Sequence, residues 1–461
     1  MKKSVLVRYS MMAAACAIVP GAIAAQSAQP ENILPMRAEI KEQAVEADTA
    51  AFISEPVVQA IDAMAEPDYP VVQEWPVDMA QALAATIDKL GAEGLSPADY
   101  NPAGLRAAIA AGEGAELNQL ASKAFAWVVE DLRDGRTPMD ARKQWFVLDP
   151  DQDRYPTGKL MADALESGDL AKTLERIMPE HPDYYRLREE LAKTPASSTS
   201  RRKLVRANMD RWRWLARDLG SQYLITNVPE YQLRLTVNDT IVRTYRTVVG
   251  KPGRTATPQI AESVEGVIFN PTWTVPQSIV KGEGLGARVL GNPAWARAKG
   301  YTATKGANGW VSVVQQPGPT NSLGLMKLDM PNRHAIFLHD TPSRHLFGNA
   351  ARALSHGCIR TERATELAIA LAMLRGGLTG DEAKAVMTSG KYTKVGFEQT
   401  MPVYITYFTM AQDINGELKE FSDIYGRDAP VLAALDKPRV ANRKRVTGEQ
   451  IIPIEDNLQD S

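Results

Sequence analysis

The chain has 461 residues, 44% of them hydrophobic, with 53 Lys and Arg against 55 Asp and Glu and a formal net charge of -2. That length accommodates two or three domains with real cores, and the balanced charge argues against the basic surface that nucleic acid asks for. Two cysteines in all exclude a disulfide-built fold.

Lys2, Lys3 and Arg8 precede a short apolar run from Met11 to Val19, and Ala22-Ile23-Ala24 offers the small residues a signal peptidase reads. The run is far shorter than the ~20 residues of a membrane-spanning helix. Residues 1–25 therefore read as a cleavable signal peptide that exports the protein. Cleavage before Ala25 or Gln26 removes Cys16 and leaves Cys358 as the lone thiol, which in an exported protein marks it as reactive.

From residue 26 to 75 the chain is rich in Ala, Glu and Pro and reads as a linker, with one helix near Val57 to Met64. The pattern then turns helical: Leu83, Ile87 and Leu90, then Leu105 and Ile109, then Leu117, Leu120, Ala124, Val128 and Leu132. Gly91, Pro97, Pro102, Gly112 and Pro138 separate the helices. This predicts a helical domain over 76–217, with Trp75, Trp127 and Trp145 as core and His181 as a loop residue without a role. Residues 194–203 read as a short solvated linker.

From Tyr223 the period shifts to two. Strands are predicted at Leu233 to Val237, Ile241 to Val249, Val264 to Phe269, Val311 to Val314, Gly324 to Leu328, Ala335 to His339 and Val403 to Thr409. Between Ser278 and Gly309 the strand pattern lapses into Gly-rich sequence, a stretch long enough to be a functional flap. Ala364, Leu367, Ala368, Leu371 and Leu374 predict a helix with Thr361 as its N-cap. From residue 437 to 461 the chain reads as a disordered tail. The fold class is multidomain α+β: an N-terminal helical domain, then a mostly β domain of residues 218–436.

The chemistry gathers in Ser355-His356-Gly357-Cys358-Ile359-Arg360, read with the apolar run that delivers His339. A cysteine attacks as the thiolate and needs a base, which histidine supplies near neutral pH. Cys358 and His339 are the candidate nucleophile and base. Gly357 permits a sharp turn whose N–H groups, those of Gly357 and Cys358, could face a developing oxyanion. Ser355 and His356 shape that corner, which is expected to lead from a strand into the helix.

His339-Asp340-Thr341-Pro342 followed by Ser355-His356-Gly357-Cys358-Ile359-Arg360 resembles the signature of the L,D-transpeptidases, the YkuD-type catalytic domain. The resemblance extends through residues 208–215, 227–231, 270–276 and 317–324 to the larger periplasmic members, which carry a helical scaffold domain and a lid. It departs from them in lacking an evident peptidoglycan-binding module before residues 208–215. Residues 278–309 would be the lid, and residues 423–428 the end of the catalytic domain.

The resemblance implies an acyltransferase of cell wall biogenesis and cell shape, inhibited by carbapenems and needing no cofactor and no metal. Cys358 would attack the tetrapeptide stem of peptidoglycan, release D-alanine and pass the acyl group to an amine acceptor on another stem. Arg360 would bind a carboxylate of the donor, and Phe337 stands where relatives often carry Tyr. Other wall-synthesis enzymes are candidate partners; nucleic acid and a membrane span after signal cleavage are not expected. An L,D-carboxypeptidase using the same acyl-enzyme, and a non-catalytic wall-binding scaffold, remain alternatives. A zinc site built from His334, His339, His345, His356 and Cys358 lacks paired ligand spacing.

Overall fold

In a computed structural model the described residues are 71–451, apart from 239, 308, 442 and 443. The signal peptide with Cys16, the predicted helix at Val57 to Met64, and all of the linker but residues 71–75 lie outside them. So do residues 452–461.

The helical half begins with α1 (Val77–Lys89), α2 (Pro102–Ala111), α3 (Ala115–Arg133), α4 (Asp151–Arg154), α5 (Thr157–Ser167) and α6 (Leu170–Glu175). The predicted apolar faces meet: Leu83, Ile87, Leu105, Leu117, Phe125, Val128 and Leu132 share one core with Leu160 and Leu174. Asn101 caps α2 by accepting from the Gly104 N–H, with Pro102 at the first helical position, where its missing N–H costs nothing. Trp75 and Trp145 are buried, and Trp127 is half-buried beneath the Arg439 guanidinium.

Two further helices, α7 (Pro182–Lys193) and α8 (Thr199–Trp212), form a second layer. Leu187, Val205 and Met209 pack there with Tyr223, Ile225, Tyr404 and Met410 of the β half. The end of α8 is the hub. Asp210 accepts from the Arg136 and Thr137 amides and from Trp214 Nε1, Arg211 pairs with Asp428, and Trp212 lies between the rings of His181 and Phe408. His181, expected to be without a role, stacks on Trp212 at 4.1 Å and caps α7 through Nδ1.

The β half contains β1 (Gln222–Asn227), β2 (Gln232–Val237), β3 (Thr240–Gly250), β4 (Ile260–Phe269), β5 (Trp273–Thr274), α9 (Gln277–Gly282), α10 (Leu285–Gly291), α11 (Pro293–Ala298), β6 (Tyr301–Lys305), β7 (Val311–Gln315), β8 (Met326–Asp329), β9 (Leu338–His339), β10 (Ala353–Ser355), β11 (Ile359–Thr361), α12 (Ala364–Arg375), α13 (Gly380–Thr388), β12 (Thr393–Thr406), β13 (Met410–Gln412), β14 (Leu418–Glu420) and α14 (Asp428–Leu435). Nine strands form one sheet in the order β10-β3-β11-β9-β8-β4-β12-β1-β2, and β2 also pairs with β3, so the sheet closes on itself. Val249, Val267, Leu328, Leu338, Ile359 and Val403 bury their side chains with Leu367, Ala368 and Leu371 of α12.

The structure corrects several expectations, and the linker expected at 194–203 is among them, since α8 begins at Thr199. Residues 278–309 are not bare loop: three short helices pack on a separate sheet, β5-β7-β6, around Val280, Val289, Ala296 and Val313. Helices of six or seven residues leave too little periodicity to read, and the strand predicted at 311–314 belongs to this insertion rather than to the main sheet. Thr361 is not a cap: it is buried in β11, and Arg363, in the left-handed region at φ 50°, occupies the N-cap position of α12. Cys358 therefore sits on a turn between β10 and β11, not on a strand-to-helix corner. Finally, residues 437–451 lie against the helical half: Arg439 is buried on Asp131, and Glu449 accepts from the Gln144 amide. A polar segment can be ordered when buried carboxylates hold its cations.

Candidate active site

A parallel ladder sets Ile359 beside Leu338 and Arg360 beside His339. Alternation along each strand then sends Ile359 and Leu338 into the core, and Cys358, Arg360, Phe337 and His339 to the other face. Two motifs roughly nineteen positions apart thus meet on one surface.

The turn that carries Cys358 is tied from within. Ser355 Oγ donates to the Cys358 carbonyl at 2.6 Å and accepts from the Gly357 N–H at 3.1 Å. Thr257 Oγ1 donates to the Gly357 carbonyl at 2.8 Å and accepts from the Gly250 N–H at 2.9 Å. Tyr425 donates to the Gly250 carbonyl and accepts from the Thr257 N–H, which links the end of the catalytic domain to the corner. Gly357 has φ 122°, a conformation that a side chain strains. One expectation is corrected here: the Gly357 N–H is engaged by Ser355, which leaves the Cys358 N–H, without an acceptor among the described residues, as the donor free to meet an oxyanion.

His339 is buried, and its Nδ1 lies 2.5 Å from the Asp340 carbonyl. A carbonyl only accepts, so Nδ1 carries the proton and Nε2 keeps its lone pair. Burial, the Arg360 guanidinium and the Lys327 ammonium together push the imidazole down to about 3, although the Asp340 carbonyl pulls the other way. Asp340 is itself fixed, accepting from the Leu325 N–H and from Arg344. Gly324 passes so close that a Cβ there would meet the Asp340 carboxylate at 2.3 Å.

Burial pushes the Cys358 thiol up, while the Phe337 amide, Lys327 and Arg360 favour its thiolate. Sγ lies 3.6 Å from the Ala335 carbonyl. Arg360 is half-buried in β11, and no carboxylate pairs with it among the described residues: Glu362 is held by Arg246, and Glu366 by Arg363 and Arg243. His356 is half exposed and lies 3.6 Å from Glu283 of the insertion. Among the described residues no three His, Cys, Asp or Glu side chains gather to hold a metal ion.

Thr257, Tyr425 and Lys327 escaped the reading of the sequence. Lys327 alone left a signal, a charge between Met326 and Leu328 in an apolar strand.

A helical domain in front of a closed β-sheet domain, with a thiol, an imidazole and an unpaired guanidinium on one face, defines the architecture. Residues 221–404 match YkuD, the L,D-transpeptidase catalytic domain, and residues 72–191 match a scaffold domain. Over those residues the chain is similar to the L,D-transpeptidases. A Haemophilus influenzae protein assigned as an L,D-transpeptidase is 30% identical over 223 residues, 45% of this chain and 45% of that protein, so the match spans less than half of the relative's length. Among solved structures, an L,D-transpeptidase from Mycobacterium smegmatis is 14% identical over 40% of this chain and 58% of that one, with a TM-score of 0.20. L,D-transpeptidase 1 of Mycobacterium tuberculosis is 13% identical over 40% of this chain and 61% of that one, with a TM-score of 0.18.

Proposed function

We propose that this protein is a peptidoglycan L,D-transpeptidase that crosslinks stem peptides through an acyl-enzyme on Cys358. The observation that carries the reading is the shared face on which Cys358, the free Nε2 of His339 and the unpaired Arg360 meet. Sγ attacks the carbonyl after the third residue of a tetrapeptide donor while its proton passes to His339 Nε2. The carbonyl oxygen becomes an oxyanion that the Cys358 N–H meets. The C–N bond breaks, D-alanine leaves with the proton from the imidazolium, and a thioester remains. An amine of a second stem then attacks, His339 takes its proton, and the thiol is regenerated as the new amide forms. Water in place of the amine would make the same site an L,D-carboxypeptidase.

In this reading residues 273–315 are the lid, whose Glu283 meets His356 at the rim of the site. The place of action is the periplasm, following the export signal. No helix among the described residues is long and apolar enough to cross a membrane.

The test uses the wild-type protein with a synthetic tetrapeptide stem, an amine acceptor and, separately, a carbapenem. The expected result is release of D-alanine, a crosslinked product and a covalent carbapenem adduct on the Cys358 peptide. Release of D-alanine with no crosslinked product at any acceptor concentration would make the protein a carboxypeptidase, and no adduct would end the acyl-enzyme reading.

Arg360 gives a narrower prediction. A hydrogen bond to a charged group contributes about 1.5 to 3 kcal/mol, so Arg360→Ala should lower kcat/KM roughly ten- to a hundredfold for donors with a free carboxylate on the third residue. Amidated donors should be nearly unaffected. Equal losses for both donor forms would assign Arg360 to the fold of β11 instead.

A further inference from the structure

Lys327 lies on β8 directly across from His339, on the face that carries the candidate nucleophile. Its neighbours in the strand, Met326 and Leu328, point into the core, so alternation fixes the lysine outward toward the site. Nζ sits 3.5 Å from the centre of the Phe337 ring, a cation held against an aromatic face. Cys358 stands beside Phe337, one position before the Ile359–Leu338 pair of the ladder. The ring that holds the ammonium thus belongs to the residue alongside the thiol.

The lysine has no ion-pair partner among the described residues. Asp329, two positions along the same strand, is held by Lys394 at 2.5 Å. The other charged and titratable groups around the thiol are accounted for: His339 on β9, Arg360 on β11, and His356 on the turn, which faces Glu283 of the insertion and Lys251 beyond β3. Among the described residues no carboxylate faces Cys358. An ammonium that is largely enclosed by protein and without a counter-ion is expensive unless the site supplies a negative charge. A cysteine that must ionise in order to react supplies one.

We infer that Lys327 is a positioning residue of this site: clamped against the Phe337 ring, its ammonium is the counter-charge that Cys358 needs as a thiolate. This deepens the acyl-transfer reading and rests on it for the identity of the nucleophile. It also gives Phe337 a part that needs no hydroxyl, because the ring face alone holds the ammonium. The cation favours S⁻, while the same charge disfavours the imidazolium of His339 and keeps Nε2 unprotonated at rest.

The test is the rate of alkylation of Cys358 by iodoacetamide, a neutral probe, followed by mass spectrometry of the Cys358 peptide across pH. Alkylation asks nothing of a stem peptide, so the outcome stands apart from whether crosslinks form. An opposite charge at close range shifts a pKa by about one unit or more. Lys327→Met should therefore move the alkylation profile to higher pH and slow the reaction at pH 7 roughly tenfold, while Lys327→Arg restores most of the rate. Phe337→Leu, which keeps the charge and removes the clamp, should shift the profile the same way by less. A profile unchanged in a folded Lys327→Met protein would overturn the proposal, even if turnover of stem peptides fell, because the lysine would then act on the substrate. Equal shifts in the Met and Arg variants would overturn it too, since the cause would be shape and not charge.

Discussion

Cys358→Ala should give a protein that keeps its melting temperature, forms no adduct with a carbapenem and makes no crosslink, and His339→Gln should acylate about a hundredfold more slowly or worse. The alanine removes the only atom able to form the thioester. Glutamine keeps a polar side chain of similar reach beside the Asp340 carbonyl but offers no lone pair basic enough to take the thiol proton; loss of a positioned base typically costs ~10²-fold to 10⁴-fold. The pH dependence separates this imidazole from an ordinary one. Because burial and two cations hold His339 down at about 3, its neutral form persists as pH falls, and acylation should show no loss of the base between pH 7 and 5. The thiol, pushed up by burial, should instead make the rate rise on the alkaline side. Acylation by His339→Gln at the wild-type rate, measured by mass spectrometry over time, would remove His339 from the mechanism.

The second large effect lies away from the chemistry. Asp210 is 1% exposed and accepts from the Arg136 and Thr137 amides and Trp214 Nε1, with the Arg213 guanidinium beside it. Burial alone would raise its carboxyl, but Arg213, Arg142 and the amide donors outweigh it and hold the group below its usual value. A depressed carboxyl stabilises the fold above its unfolded value and loses that contribution only as pH falls through the folded one, so near neutrality the interaction is fully present. Asp210→Ala removes the charge and leaves buried Arg213 less compensated and two buried amides without an acceptor. Breaking a buried pair of this kind costs about 3 to 5 kcal/mol. Urea unfolding should show a clearly lower midpoint, and a loss under about 1 kcal/mol would mean that water or rearrangement replaces the carboxylate.

The site and the scaffold were legible in the sequence for different reasons. Cys358 and His339 stand in a polar, glycine-containing context that makes poor core, so their types and order were enough. The helices of residues 77–133 announced themselves through repeated leucines. Thr257 could not be found, because a threonine a hundred residues before the turn it braces gives no local sign. The charge of Lys327 between Met326 and Leu328 is visible but ambiguous, because strand alternation sets one charged side chain in apolar company whether it faces solvent or a thiol. The Gly357 N–H was misassigned because Ser355, only two positions earlier, competes for it, and spacing does not show which way a hydroxyl turns. The helices inside the insertion after β5 leave no sign in the sequence because they are too short to repeat a face.

The return of residues 437–451 to the helical half bears on how this protein is made. Arg439 grips Asp131 across 308 positions, and Glu449 meets Gln144 across 305. The first domain to leave the ribosome is therefore among the last to be finished, since its final contacts wait for a stretch of chain synthesised after the entire β half. Domains commonly complete themselves from the amino terminus onward. Here the order of synthesis and the order of closure run against each other, and the loops that must be closed are among the longest in the chain. A chain cut before residue 437 would lack the contacts of Arg439 and Glu449 that finish the helical half.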